Sequence, residues 1–279
     1  MMKLTDTNEM VEQPQSSSRP MERREFRHDG LTLSYLDSGG DGRGVVALHG
    51  HWMEATTFVP LAASLGPGWR VIALDQRGHG YSDHAWSYTR DDYLGDLAAL
   101  FTHLDLDSAV LLGHSLGGIN AFQFAARHPA QVEALIIEDI GAVVDADTRF
   151  VLSWRGTFRD REELAERVGP RFLPYVQDSF RKTPEGWRLA FDPADMVASQ
   201  EQVNGDHWAD WLATSCPALL IRGAHSRLSS PEVLEQMAAR RPDTRMVTLD
   251  GGHVVHVDSP AAFNEAVRGF LRAVQARSG

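Results

Sequence analysis

The sequence predicts an α/β fold, a mostly parallel sheet flanked by helices and interrupted by one helical insertion. Three observations carry this expectation. Four short apolar runs, residues 45–48, 71–74, 109–112 and 134–137, are continuous rather than alternating, which requires burial on both faces, as in a parallel sheet covered by helices. The stretches between these runs pattern as helices, so strand and helix alternate. That rhythm breaks between about residues 141 and 214, a region rich in Arg, Glu and aromatic residues with no clear buried strand, and then resumes.

Taken in chain order, residues 1–22 read as a polar, disordered tail with no apolar core of a signal peptide. Residues 31–36 alternate with period two and end in Asp37-Ser38-Gly39-Gly40, a half-buried strand and turn that open the folded domain. Residues 91–104 place Tyr93, Leu94, Leu97, Leu100, Phe101 and Leu104 on one helical face. A helix over 119–127 follows the third apolar run. After the insertion come a strand at 218–221, a helix at 231–240, a strand at 245–249 and a last helix from 260 to about 276. Ser230-Pro231 and Ser259-Pro260 each put a cap residue before a proline suited to the first helical turn. The core is therefore expected at 23–140 and 215–279, with the insertion at 141–214.

Composition narrows the class. With 43% hydrophobic and 23% charged residues among 279, the chain is an ordinary globular protein. A formal charge of −11 argues against nucleic acid as a partner. No run reaches the roughly 18–20 apolar residues that a spanning helix needs, so no membrane crossing is expected. Cys216 is the only cysteine, which rules out an intrachain disulfide and points to the cytoplasm. Nothing in the sequence speaks to oligomeric state.

The chemistry is carried by Gly113-His114-Ser115-Leu116-Gly117, which lies between a buried strand and a helix. A serine on such a turn projects its hydroxyl, and the small neighbours prevent clashes. An oxyanion hole needs two backbone donors. The residue after the nucleophile, Leu116, supplies one, and the amide of His51, in the loop after the strand that starts at Val45, is the expected second. His49 reads as a structural turn histidine, and Trp52 either lines an acyl pocket or packs. Twelve histidines compete for the general base. His253 stands out because it follows Gly251-Gly252 after the last strand, at the sheet edge where ligands bind in such folds; His256 is the nearest rival. A zinc site at these two histidines lacks further ligands. The imidazole needs an orienting carboxylate. Asp139 ends the strand after the nucleophile helix, at the same sheet edge as Ser115, whereas Glu138 should face the opposite side. The bland alternative for Asp139 is a turn acid. Asp250 and Asp258 are close in sequence to His253 and reach its outer nitrogen less easily.

These residues resemble the α/β-hydrolase superfamily from about Glu25 onward. His49-Gly50, Asp75-Gln76-Arg77-Gly78-His79-Gly80-Tyr81-Ser82, residues 113–118 and Gly252-His253 occur in the family's order. The resemblance implies an eight-stranded, mostly parallel sheet and makes 141–214 a cap over the active site. In most members the acid follows the strand after the insertion, but residues 223–229 hold no Asp or Glu, and His225 stands there instead. Trp154, Phe158 and other cap aromatics line a pocket or form the cap's own core; Arg155 and Arg159 bind a substrate carboxylate or face solvent. The activity implied is that of a serine hydrolase acting on a small-molecule ester, lactone or amide, with neither metal nor organic cofactor. A carbon–carbon bond hydrolase, a cofactor-free perhydrolase or a small-molecule receptor would carry the same residues. Dehalogenases and epoxide hydrolases carry Asp where this chain has Ser115.

Overall fold

A computed structural model describes residues 20–278; the predicted polar tail lies outside them except for its last three residues. The folded domain opens one strand earlier than expected. Strand β1 (Glu22–His28) pairs antiparallel with β2 (Leu31–Asp37) across a two-residue turn in which Asp29 and Gly30 both have positive φ, 48° and 78°. Asp-Gly is the dipeptide such a hairpin turn favours. The strand itself hides in the sequence because it is charged along its length and buries only Phe26, a composition suited to an edge that must not recruit further strands.

The chain continues through β3 (Arg43–Leu48), α1 (Val59–Ser64), β4 (Trp69–Leu74), α2 (Arg90–His103), β5 (Ala109–His114), α3 (Leu116–Arg127) and β6 (Val132–Glu138). The insertion follows, with β7 (Val143–Val144), α4 (Arg161–Val168), α5 (Leu173–Val176), β8 (Phe180–Thr183), β9 (Gly186–Leu189), α6 (Pro193–Val203), β10 (Gly205–Asp206) and α7 (Trp208–Ala213). The chain then returns through β11 (Ala218–Gly223), α8 (Pro231–Arg240), β12 (Thr244–Leu249), α9 (Val255–Asp258) and α10 (Pro260–Ser278). Eight strands form one sheet in the order β1-β2-β4-β3-β5-β6-β11-β12. The pairings of β1 with β2 and of β2 with β4 are antiparallel, and all others are parallel.

Helices cover both faces. Leu33, Tyr35, Val46 and Leu111 pack with α2, α3 and α8 on one side, and Leu36, Val45, Ala47 and Leu112 pack with α1 and α10 on the other. Strand β2 is accordingly buried on both faces from Leu33 onward, not half-buried as its alternation suggested. Local signals start the helices where expected: Thr89 and Asp92 form a capping box at α2, and Ser230 caps α8.

The insertion has a core of its own, including Val151, Trp154, Phe158, Leu164, Phe180, Phe191 and Met196. It is not purely helical. Two short antiparallel ribbons, β7 with β10 and β8 with β9, accompany its helices. Pairs of two and four residues are too short to leave a periodic trace in a sequence.

Candidate active site

Strand β5 ends at His114 and α3 begins at Leu116, so Ser115 alone makes the turn, at φ 52° and ψ −117°. A non-glycine residue in such a conformation costs about 1–3 kcal/mol and persists only where its surroundings over-determine it. Here they do. The Ser115 amide donates to the Glu138 carbonyl at 3.1 Å, and its carbonyl accepts from Gly118 and Ile119 at 2.8 and 3.2 Å. A Cβ on Gly117 would overlap the Leu48 carbonyl, so α3 can start this close to β3 only with glycine at that position. On the other side, a Cβ on Gly50 would lie 3.2 Å from the Ser115 Cβ, which puts the loop after β3 against the serine.

Asp139 follows β6 directly, with φ 49° and no solvent exposure. Its Oδ2 meets His253 Nδ1 at 2.7 Å and accepts from the Ser226 hydroxyl; its Oδ1 accepts from the Gly223 amide at 2.9 Å and the Ser229 hydroxyl at 2.7 Å. Four hydrogen bonds fill the acceptor sites of a carboxylate. A neutral His253 whose Nδ1–H donates to Asp139 carries its lone pair on Nε2. Three of the four donors come from the end of β11 and the loop after it, the place where an acid was expected and none stands. Ser226 and Ser229 were missed in the sequence, although hydroxyls spaced through a loop that lacks its acid were the available signal. His225 turns away: it pairs with Asp250 at 2.9 Å, and both side chains are largely exposed.

Glu138 points to the opposite face, as strand alternation requires. It is fully buried and holds His256 through both ring Nδ1, at 2.7 and 3.0 Å, and backbone amide, at 2.9 Å. Burial pushes its carboxyl up, but the neighbouring histidines and the His256 hydrogen bonds prevail and leave it below the ordinary value. His256 is therefore engaged away from Asp139.

In the loop after β3, the buried His49 ring donates to the Gly50 carbonyl at 2.7 Å and accepts from the Gln76 amide at 3.1 Å, a turn-holding arrangement. The His51 ring reaches into the insertion, 2.8 Å from the Ser199 hydroxyl, which also meets Tyr93 at 2.8 Å. Leu116 is buried at the start of α3. Burial lowers His49 to about 4 and His79 to about 3, and drives His51 and His114 well below the usual imidazole value.

The remaining candidates fall into two places. Trp52, with φ 69°, packs edge-on against Phe150, Trp154 and Phe172 of the insertion at 5.6–5.8 Å between centroids. Phe158 lies in the insertion's own core, and the exposed Arg155 and Arg159 reach Asp192 at 3.3 Å and Asp160 at 2.9 Å.

A strained serine between a buried strand and a helix, against the loop that follows β3, sits in a known fold. The family model described as the alpha/beta hydrolase fold matches residues 44–260. The chain belongs to this family. Among α/β-hydrolases, it is 28% identical over 258 residues to a 2-(acetamidomethylene)succinate hydrolase of Mesorhizobium japonicum, covering 87% of this chain and 92% of that one. It is 37% identical over 265 residues to an sn-1-specific diacylglycerol lipase of Danio rerio, covering 87% and 82%. The crystal structure of an E-2-(acetamidomethylene)succinate hydrolase superimposes with a TM-score of 0.81 at 26% identity, over 90% of this chain and 99% of that one. The protein is a hydrolase. Among the described residues, no helix is long and apolar enough to cross a membrane.

Proposed function

We propose that this hydrolase cleaves a small carboxylic ester, lactone or amide through an acyl-enzyme on Ser115. Ser115 Oγ attacks the carbonyl carbon while His253 Nε2 takes its proton, and the backbone amides of His51 and Leu116 hold the oxyanion. His253 returns the proton to the leaving alcohol or amine. Water, deprotonated by the same imidazole, then releases the carboxylic acid. Asp139 keeps His253 in the required tautomer and stabilises its cation. The insertion acts as a cap, and Trp52 of the loop after β3 packs against its Phe150, Trp154 and Phe172.

The observation that carries this reading is the 2.7 Å contact between His253 Nδ1 and a wholly buried Asp139 whose other lone pairs are already taken. A carboxylate held in this way has one geometry in which to orient a base. The named activities of two relatives, on an acetamidomethylene succinate and on a diacylglycerol, are consistent with acyl cleavage. Steady-state assay of a panel of p-nitrophenyl esters, lactones and acyl amides tests the proposal. Many turnovers by the native chain and none by folded Ser115→Ala are expected. A single slow acylation without turnover, or full activity in Ser115→Ala, overturns it.

A further inference from the structure

Strand β6 ends at Glu138 and Asp139 follows it directly, and each of these carboxylates grips a histidine that comes after β12. Asp139 holds His253, and Glu138 holds His256 three residues on. We propose that Glu138 and His256 form a second acid–histidine pair that positions His253 for proton transfer without exchanging a proton with the substrate. This rests on the assignment of His253 as base.

The His256 ring is clamped at both nitrogens. Nδ1 faces Glu138, and Nε2 lies 2.6 Å from the Thr57 hydroxyl, which belongs to the segment after β3. Phe58 stacks on the ring at 5.0 Å. Glu138 also accepts the Ser115 amide at its carbonyl, so one residue touches the nucleophile's backbone and the base's loop. His114 completes the connection: its Nε2 donates to the His253 carbonyl at 3.0 Å, and its ring lies 4.7 Å from that of His253 and 5.3 Å from that of His256.

Such a clamp has a physical use. Asp139 fixes one nitrogen of His253, and the residues before it, Gly251-Gly252, have no side chains to pack. The Gly252 amide is tied to Asp258 at 2.7 Å on one side, and the Glu138–His256 pair anchors the chain on the other. A displacement of about 1 Å at a catalytic group costs on the order of 10²-fold in rate. A buried polar pair that served stability alone could be exchanged for apolar packing with little loss.

His256→Leu keeps bulk and removes both hydrogen bonds, whereas His256→Asn retains an N–H donor near the Nδ1 position. We expect His256→Leu and Glu138→Gln to lower kcat by about 10- to 100-fold with KM within about twofold. His256→Asn should recover to within about threefold of the native kcat. Near-UV circular dichroism confirms folding, and if either of the first two variants fails to fold, Thr57→Val removes only the outer hydrogen bond and should show a smaller loss in kcat with the same split. The inference falls if folded His256→Leu or Thr57→Val keeps full kcat, or if His256→Leu and His256→Asn lose rate equally. Ser115→Ala assayed in parallel separates the two ideas: an inactive Ser115→Ala beside a fully active His256→Leu rejects only the clamp, whereas an active Ser115→Ala rejects the acyl-enzyme itself.

Discussion

A carboxylate can orient a histidine wherever its oxygens reach Nδ1, and Asp139, with its backbone at φ 49°, reaches His253 Nδ1 at 2.7 Å. Asp139→Asn would present an amide N–H or a neutral carbonyl to His253 and set its amide NH2 against two of the four donors. We expect kcat to fall about 10³- to 10⁴-fold, the loss seen when a triad acid is amidated, in a chain that remains folded. His225→Ala should leave kcat within about twofold, because the His225–Asp250 pair is solvent-exposed. A near-normal rate in Asp139→Asn would mean that another carboxylate orients the base. The strained turn at Ser115 and the pairing of His253 with Asp139 were legible from motif and position. The serines that hold Asp139 were not, because their role exists only once β11 lies beside β6.

At the level of elements, the site depends on how closely α3 approaches β3. Gly117→Ala puts a methyl group into the Leu48 carbonyl. Overpacking against backbone costs about 1–3 kcal/mol or more, which for a domain of this size lowers Tm by several degrees; it also shifts the Leu116 amide, so activity should fall with stability. Gly66→Ala is the matching control, since a Cβ there meets nothing within 4 Å, and its thermal midpoint should not drop. A Gly117→Ala protein as stable and active as the control would show that α3 can retreat without cost. The longer strands and helices of the core were readable from apolar runs and caps, because each buries a repeating pattern, whereas the short helices α1 and α9 were not located. Strand β1 was not, since an edge strand buries one residue in seven, and neither were the ribbons of the insertion.

For the whole molecule, four histidines are packed neutral around the loops that carry the site. Burial holds His49 at about 4 and His79 at about 3, with His51 and His114 also well below the ordinary value. In the unfolded chain each returns to about 6.5. Below that pH the unfolded state takes up protons that the folded state refuses, so stability is full above about pH 6.5 and declines as pH falls toward 4. Thermal midpoints should drop through this window, and calorimetry in buffers of different ionisation enthalpy should detect proton uptake on unfolding. A midpoint that stays flat between pH 6.5 and 4 would show that these rings are charged in the fold.

The sequence by itself determined the sheet and its covering helices, the serine turn, and the places of His253 and of the carboxylate after β6, because those depend on local apolar patterning and on turn chemistry encoded within a few residues. Tertiary structure decided which donors hold Asp139, that His225 is a surface residue, and that Glu138 and His256 meet below the site. The side-chain contacts of Asp139 and Glu138 join residues 84 to 118 positions apart, and no local periodicity records such a meeting.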